Sequence, residues 1–278
     1  MKQLLFYENP VALNKERHRA FKINTEGANY LFARETNSVV VTGTEFAHLC
    51  KEYPIVFAKT GGRIVSLALL GLRNDENLFI DASGRWDARY IPGFVRRYPF
   101  VLADSGDGNL AVCIDEGFAG FNTEKGVPLF DETGTQAPLL ENALRFLTDY
   151  QGQTQRTELF VNRLQELELL TELTAQVELP GRGKFSMAGL MAVEEKKLLE
   201  LGDARVLELF RLGELGWIYA HLLSLSNINR LAEMLEKSHA APVVPAADPV
   251  MGSLAVDLQE KAEDDTAARS AKGEKKKK

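Results

Sequence analysis

The chain has 278 residues, of which 45% are hydrophobic and 26% charged, values ordinary for a globular protein. Its formal net charge of −6 argues against a basic protein whose main partner is nucleic acid. The length allows a sizeable core, and no run approaches the roughly 20 apolar residues needed to span a bilayer.

Residues 1–135 have the pattern of a strand-rich region. Short apolar or β-branched runs at 39–41, 53–58 and 64–72 predict strands. Two hairpins are predicted, one joining 77–81 to a strand that begins near Trp86, the other joining 100–103 to 110–114 across a Gly- and Asp-rich insert. Short helices are predicted after the polar start at Thr42 and over residues 92–98.

Helical periodicity takes over from Pro138. Leucines and Phe160 recur at helical spacing, which predicts one long or one broken helix over 138–171, with Gly152 as its weak point. Residues 173–190 return to strand character around a Pro-Gly turn and predict an inserted β-hairpin. Asp203 is predicted to cap a helix over 204–212, and a last helix is predicted over 215–237.

The fold class predicted from this order is α+β, with a strand-rich N-terminal half, a helical C-terminal part and one inserted β-hairpin. Residues 1–238 are predicted to form a single domain. Residues 239–278 begin with a Pro/Ala stretch and continue in Ala, Asp, Glu and Lys without aromatics, so a disordered tail is predicted there.

Sequence motifs for catalysis or cofactor binding are absent. The four histidines form no HxH, HxD or HExxH, and Cys50 and Cys113 belong to no metal-spaced set, so neither a metal nor a cofactor is predicted. There is no Walker A, GxGxxG or GxSxG motif. His221 is interpreted as a packed histidine on the last helix rather than a ligand. The N-terminal apolar run is too short for a signal peptide, which predicts a cytoplasmic location, with signal-less export or peripheral surface association left open.

The densest constellation of candidate binding residues runs from Trp86 to Phe100. Arginine offers a planar fork for carboxylate or phosphate, and aromatic side chains offer stacking faces. The residues named as candidate binding residues are Trp86, Arg89, Tyr90, Arg96, Arg97 and Tyr98. They predict an anion- or peptide-recognising groove. The alternative is a core corner, with the aromatics inside and the arginines paired to Asp81, Asp87 or Asp115.

The pair Asp115-Glu116, which follows a predicted strand, completes the candidate site. Two carboxylates at a strand end can serve acid–base chemistry. The alternative interpretation is a solvated strand end. On the last helix, the polar run from Ser224 to Arg230 is interpreted either as a helix contact or as a partly exposed face.

Several of these segments, in the same order, resemble the SapC family of bacterial proteins. They are residues 2–8 (KQLLFYE), 53–57 (YPIVF), 77–81 (NLFID) with Trp86, 89–92 (RYIP), 94–100 (FVRRYPF), 113–116 (CIDE) and 224–227 (SLSN). The resemblance covers roughly residues 1–237 and leaves out the tail. It implies a Gram-negative origin and a link to a paracrystalline surface layer or to uptake systems, since members tend to be encoded near TonB-dependent receptors and tryptophan-halogenase-like proteins. The resemblance does not identify any catalytic residues.

Two functional hypotheses follow. The first is a non-enzymatic interaction or assembly protein of surface-layer or outer-membrane uptake systems, with a protein or peptide as partner. The second is an enzyme, or an enzyme's partner, that acts on a peptide or small acid where the Trp86–Phe100 segment and Asp115-Glu116 line a cleft. The position of Arg96, Arg97 and Asp115 is expected to separate the two.

Overall fold

The structure, a computed structural model, describes residues 5–24, 29–104, 110–173, 175–179 and 183–237. The tail predicted over 239–278 lies outside the described residues, as does most of the insert between 104 and 110. The described helices are α1 (Phe46–Leu49), α2 (Gly93–Arg96), α3 (Pro138–Glu166), α4 (Glu195–Leu199), α5 (Asp203–Leu212), α6 (Glu214–Ser224) and α7 (Asn227–Lys237), with short 3-10 helices at Leu31–Ala33 and Gly43–Glu45.

The described strands are short and, where paired, antiparallel. They are β1 (Pro10–Ala12), β2 (Lys22–Ile23), β3 (Ser38–Val40), β4 (Ile55–Thr60), β5 (Arg63–Leu69), β6 (Phe100–Asp104), β7 (Leu110–Asp115), β8 (Phe121–Asn122), β9 (Val127–Pro128), β10 (Leu170–Glu172), β11 (Ala175–Leu179), β12 (Gly183–Met187) and β13 (Leu190–Val193). Most strands precede α3, and helices dominate after it. The predicted α+β class is therefore confirmed, including the inserted hairpin β11–β12.

The chain divides into two compact units, neither of which is a continuous stretch of sequence. The first contains residues 1–25 and 99–147. In it, β1, β7 and β6 form one sheet, and β8, β2 and β9 form another. The predicted hairpin β6–β7 is confirmed, with Phe100 opposite Ile114. Ile23, Ile114 and Leu129 form its core together with Leu140 and Leu147 from the first half of α3.

Of the described residues, the second unit contains those from 29 to 98 and from 148 to 237. Its five-stranded sheet has the order β10-β13-β4-β5-β3, and β4–β5 is a hairpin across Gly61-Gly62. Both glycines have positive φ, which explains why glycine occupies this turn. The chain therefore returns from α3 to add β13 beside β4. The prediction of one cooperative domain over residues 1–238 stays a prediction.

The helices differ from the predicted ones in several details: α3 ends at Glu166 instead of residue 171, and α2 covers Gly93–Arg96 instead of 92–98. The helix α3 runs through the exposed Gly152 without a break. The predicted helix over 215–237 is two helices, α6 and α7, separated at Leu225-Ser226. Asp203 is the first residue of α5 rather than its cap, a position taken by Gly202.

The hairpin predicted at Trp86 is present only as a tight antiparallel turn without regular strands. Residues 77–86 form a turn closed by a single bridge between Ile80 and Trp86, and Asp81 N donates to Arg85 O. Within the residues that the structure describes, no helix combines the length and the apolarity that crossing a membrane requires.

Candidate functional site

Tyr53 joins two of the segments that carry the family resemblance. Its hydroxyl accepts a hydrogen bond from Trp86 Nε1 at 2.8 Å and donates one to Tyr90 O at 2.6 Å. Tyr53 is fully buried, and this burial raises the pKa of its phenol. Trp86 itself is buried, with Tyr30 edge-on to its ring at 5.6 Å. Trp86 is therefore part of the core beneath the segment.

The buried carboxylate of Glu45 holds the segment from the side of α1. Its Oε1 accepts hydrogen bonds from Gly93 N at 2.6 Å and from the Tyr90 hydroxyl at 3.1 Å. Its Oε2 accepts from Thr42 N at 2.9 Å and Thr42 Oγ1 at 3.0 Å. Thr42 and Glu45 form the capping box of the 3-10 helix that leads into α1. One carboxylate thus fixes both a helix start and the backbone of α2.

A second nearly buried carboxylate, Glu52, holds the same segment at residues 89 and 90. It accepts hydrogen bonds from Arg89 N at 3.0 Å and Tyr90 N at 3.2 Å. Arg230 of α7 lies 3.8 Å from its Oε1. Glu52 therefore binds the backbone of residue 89 and leaves the Arg89 side chain exposed.

The arginines predicted as binding residues stand in different environments. Arg96 is exposed, its Nε donates to Ile91 O at 2.9 Å, and its Nη2 donates to the Tyr90 hydroxyl at 3.1 Å. Arg97 is half-buried, with its guanidinium carbon 3.9 Å from the centre of the Phe94 ring. The Nε of Arg97 is buried without a hydrogen-bond partner among the described residues. We call Arg89, Tyr90, Phe94, Arg96 and Arg97 the arginine platform.

Two further aromatic contacts support the platform. The ring of His48 stacks on Tyr90, 5.0 Å between centroids and 9° between planes. Burial, and secondarily the charge of Glu45, raises the pKa of Tyr90 to about 12. The half-buried Tyr98 stacks on Phe32 at 4.1 Å, so it anchors the end of the segment.

The alternative interpretation offered Asp81 as one carboxylate for the arginines between Trp86 and Phe100, but Asp81 pairs with Arg85 instead. Asp81 forms its ion pair with Arg85 at 3.2 Å and accepts hydrogen bonds from Ser83. These hydrogen bonds, that of the Ser83 hydroxyl foremost, lower the pKa of the exposed Asp81 carboxyl. Asp81 thus closes its own turn and leaves Arg97 to stack on an aromatic ring.

The other two predicted residues, Asp115 and Glu116, lie in the first unit. Asp115 is fully buried, so its interpretation as part of a solvated strand end is wrong. Its carboxylate accepts hydrogen bonds from Glu8 N, Asn9 N and Gly117 N at 3.0, 2.8 and 3.1 Å. Asp115 therefore anchors the N-terminal segment beside β7.

Glu116 meets the buried His18. Its Oε1 lies 2.9 Å from His18 Nε2, and its Oε2 accepts from Arg17 Nη2 at 2.6 Å. Asn14 N donates to His18 Nδ1 at 2.9 Å. Both ring nitrogens are thus occupied. Glu116 also lines an open cavity of about 620 Å³, together with Phe21, Phe121 and Lys125.

Ser224 and Asn227 dock the last helices on the 50–55 segment. Ser224 Oγ accepts from Ile55 N at 2.9 Å, and Asn227 Nδ2 donates to Cys50 O at 2.8 Å. His221 is fully buried nearby. Its Nε2 accepts a hydrogen bond from Val193 N at 3.0 Å, and its Nδ1 is hydrogen-bonded to Ile55 O at 2.8 Å. The interpretation of His221 as a packed histidine is confirmed. In the polar run, Ser224 and Asn227 form a helix contact, whereas Ser226 and Asn229 are exposed, so each of the two interpretations holds in part.

Glu45 and Glu52 are the residues that sequence reasoning missed. The signal for Glu45 was its position three residues after Thr42, the spacing of a capping box. Among the described residues, no group of three or more His, Cys, Asp or Glu side chains is placed to hold a metal ion. Six of the eight predicted residues therefore share the platform region of the second unit, and two belong to the first.

The family resemblance is supported by comparison with known proteins. A family model described as SapC matches residues 13–231, most of the chain. No curated protein and no solved structure matches the chain. The matched range includes the residues that hold the platform, from Thr42 to Arg230. The chain belongs to the SapC family.

Proposed function

We propose that this protein is a non-enzymatic interaction or assembly protein that binds a protein or peptide partner through the arginine platform. In keeping with the family, the partner belongs to a bacterial surface-layer or outer-membrane uptake system. The binding groups are the guanidinium groups of Arg89, Arg96 and Arg97. They suit carboxylates, which arginine binds through two parallel hydrogen bonds.

The proposal rests on the hydrogen bonds of two carboxylates next to the platform, which bind its backbone. Glu45 and Glu52 are 6% and 9% exposed, and they accept hydrogen bonds from backbone N–H groups of residues 89, 90 and 93. They hold the backbone in place while Arg89 and Arg96 remain exposed. Because the supports are buried, the platform is ordered before a partner arrives, which lowers the entropic cost of binding.

The groups expected to perform acid–base chemistry are committed to other contacts. Asp115 accepts three backbone N–H groups, and Glu116 accepts from Arg17, His18 and Asn9. Both nitrogens of His18 and of His221 are bonded as well. A general base needs a free lone pair within reach of a substrate proton, so these contacts favour binding over catalysis.

The enzyme hypothesis keeps one specific support, the cavity at Glu116. Phe21 and Phe121 line it, with ring centroids 5.4 Å apart, and Glu116 contributes a carboxylate whose side chain is 14% exposed. A small acid or peptide group would bind there through Lys125 and the aromatic rings. This second candidate function therefore belongs to the Glu116 cavity of the first unit, whereas the platform belongs to the second.

Affinity purification from the native bacterium tests the first function. The double variant Arg89→Gln/Arg96→Gln is compared with Arg205→Gln/Arg211→Gln, which removes two exposed arginines from α5 of the same unit. We expect the platform variant to lose a partner that the α5 variant retains, with equal melting temperatures. Equal recovery by both variants contradicts the proposal. Loss of recovery with Glu116→Gln alone would instead favour the cavity.

A further inference from the structure

The acidic and basic residues of the C-terminal tail are segregated along the sequence. Residues 257–265 (DLQEKAEDD) carry five carboxylates and one lysine. Residues 266–278 carry six basic residues and one carboxylate. The tail is therefore close to neutral as a whole, but it contains a compact acidic segment. An acidic segment is the kind of ligand that exposed arginines bind.

The last described helix runs beside the arginine platform. Arg230 of α7 lies 3.8 Å from Glu52, the carboxylate that binds Arg89 N and Tyr90 N, and its guanidinium carbon lies 5.7 Å from the Phe79 ring centre. From Arg230 to the end of α7 at Lys237 the helix rises only about 10 Å. The chain thus leaves the described structure close to the platform.

The acidic segment is within reach of the platform from that point. Residues 238–256 separate it from α7. In general, a linker of this length spans at most roughly 65 Å and holds its ends about 25 Å apart on average. At that separation a tethered segment has an effective concentration on the order of millimolar. Even weak carboxylate–arginine contacts are substantially populated at such a concentration.

We propose that residues 257–265 bind the arginine platform of the same chain and compete with its external partner. The inference rests on the proposed function, because it names a second ligand for the same surface. The carboxylates of the segment bind the guanidinium groups of Arg89, Arg96 and Arg97. Occupation in cis lowers the apparent affinity for an external acidic partner until that partner, or high salt, displaces the segment.

The test uses the full chain and follows the Nε–H signals of Arg89, Arg96 and Arg97 by NMR. Five substitutions, Asp257→Asn, Glu260→Gln, Glu263→Gln, Asp264→Asn and Asp265→Asn, neutralise the segment. The control replaces the four lysines 275–278 with Gln. Octaglutamate serves as the external probe, and Arg211 on α5 serves as an internal reference.

We expect the five-site variant to shift all three platform signals while leaving Arg211 unchanged. It should bind octaglutamate about two- to tenfold more tightly than the wild type, as a tether of about millimolar effective concentration implies. The lysine control should match the wild type. If the difference in chemical shift disappears on dilution, the platform binds the acidic segment of a second copy, and binding in cis is overturned. If the lysine control shows the same effect as the five-site variant, the carboxylates are not its cause.

The two proposals fail in different ways. The first case is that the wild type and the five-site variant have identical spectra without octaglutamate and respond equally to it. The tail inference is then overturned, and the platform remains a binding surface. If octaglutamate perturbs none of the three signals in either protein, the proposed function is lost together with the inference.

Discussion

The substitution Glu45→Gln tests whether one carboxylate fixes the platform. Each Glu45 oxygen accepts one backbone N–H, Gly93 N on Oε1 and Thr42 N on Oε2. Glutamine has one carbonyl oxygen, so in either orientation its NH₂ faces one of these backbone donors. The substitution therefore strands one buried N–H and removes the charge from the acceptor of the other.

The magnitude follows from those two losses. A stranded buried donor costs about 1–3 kcal/mol, and weakening a charge-assisted hydrogen bond costs about 1 kcal/mol more. We expect the free energy of unfolding to fall by about 2–4 kcal/mol. For a body of this size each kcal/mol lowers the melting temperature by about 2–4 °C, so the loss should be on the order of 10 °C.

Urea and thermal unfolding measure this change directly. The control is Glu233→Gln on the exposed face of α7, which should change stability by less than about 0.5 kcal/mol. If Glu45→Gln unfolds at the same urea concentration as Glu233→Gln, the carboxylate does not anchor the platform.

Three further outcomes are expected. Burial lowers the pKa of His221 to about 4, below its ordinary value of about 6.5. The contribution of His221 to stability is therefore fully present above pH 6.5, and about 3 kcal/mol of it is lost as the pH drops to 4. His221→Gln should flatten this part of the pH profile of stability, and an unchanged slope would show that other groups cause it. Arg96→Ala should change stability by less than about 0.5 kcal/mol, whereas Arg97→Ala, which removes a half-buried side chain from Phe94, should cost about 1–2 kcal/mol; equal losses in the two melts would contradict their different environments. Residues 1–238 are expected to melt in one cooperative transition, and two separable calorimetric peaks, or stable folding of residues 1–135 alone, would refute this.

Local sequence pattern predicted the elements whose causes are local. The hairpins β4–β5 and β6–β7 follow from apolar runs that flank turn residues, and α3 follows from leucine periodicity. Gly152 was expected to weaken α3, but Leu147 and Phe160 are buried on either side of it. Their burial outweighs the roughly 1 kcal/mol that glycine costs in a helix.

The break between α6 and α7 had no local signal, because neither glycine nor proline occurs there. Ser224 bonds to Ile55 N and Asn227 bonds to Cys50 O, partners about 170 residues away along the chain. Contacts between residues far apart in the sequence also determine the candidate site. Composition identified the segment from Trp86 to Phe100, but its supports, Glu45 and Glu52, lie some 40 residues earlier. The capping-box spacing of Glu45 predicts a helix start and not a contact with that segment, and Glu52 has no local signal.

The pairing of β1 with β7 bears on how the protein is made. Pro10 lies opposite Asp115, and every residue of the second unit up to Tyr98 is synthesised between them. At translation rates of about 5–20 residues per second, β1 waits roughly 5–20 s for its partner to leave the ribosome. The hairpin β4–β5 has its two strands within 15 residues and can close at once. The first strand to be synthesised therefore stays an exposed edge, open to chaperones, until the chain beyond residue 115 is available.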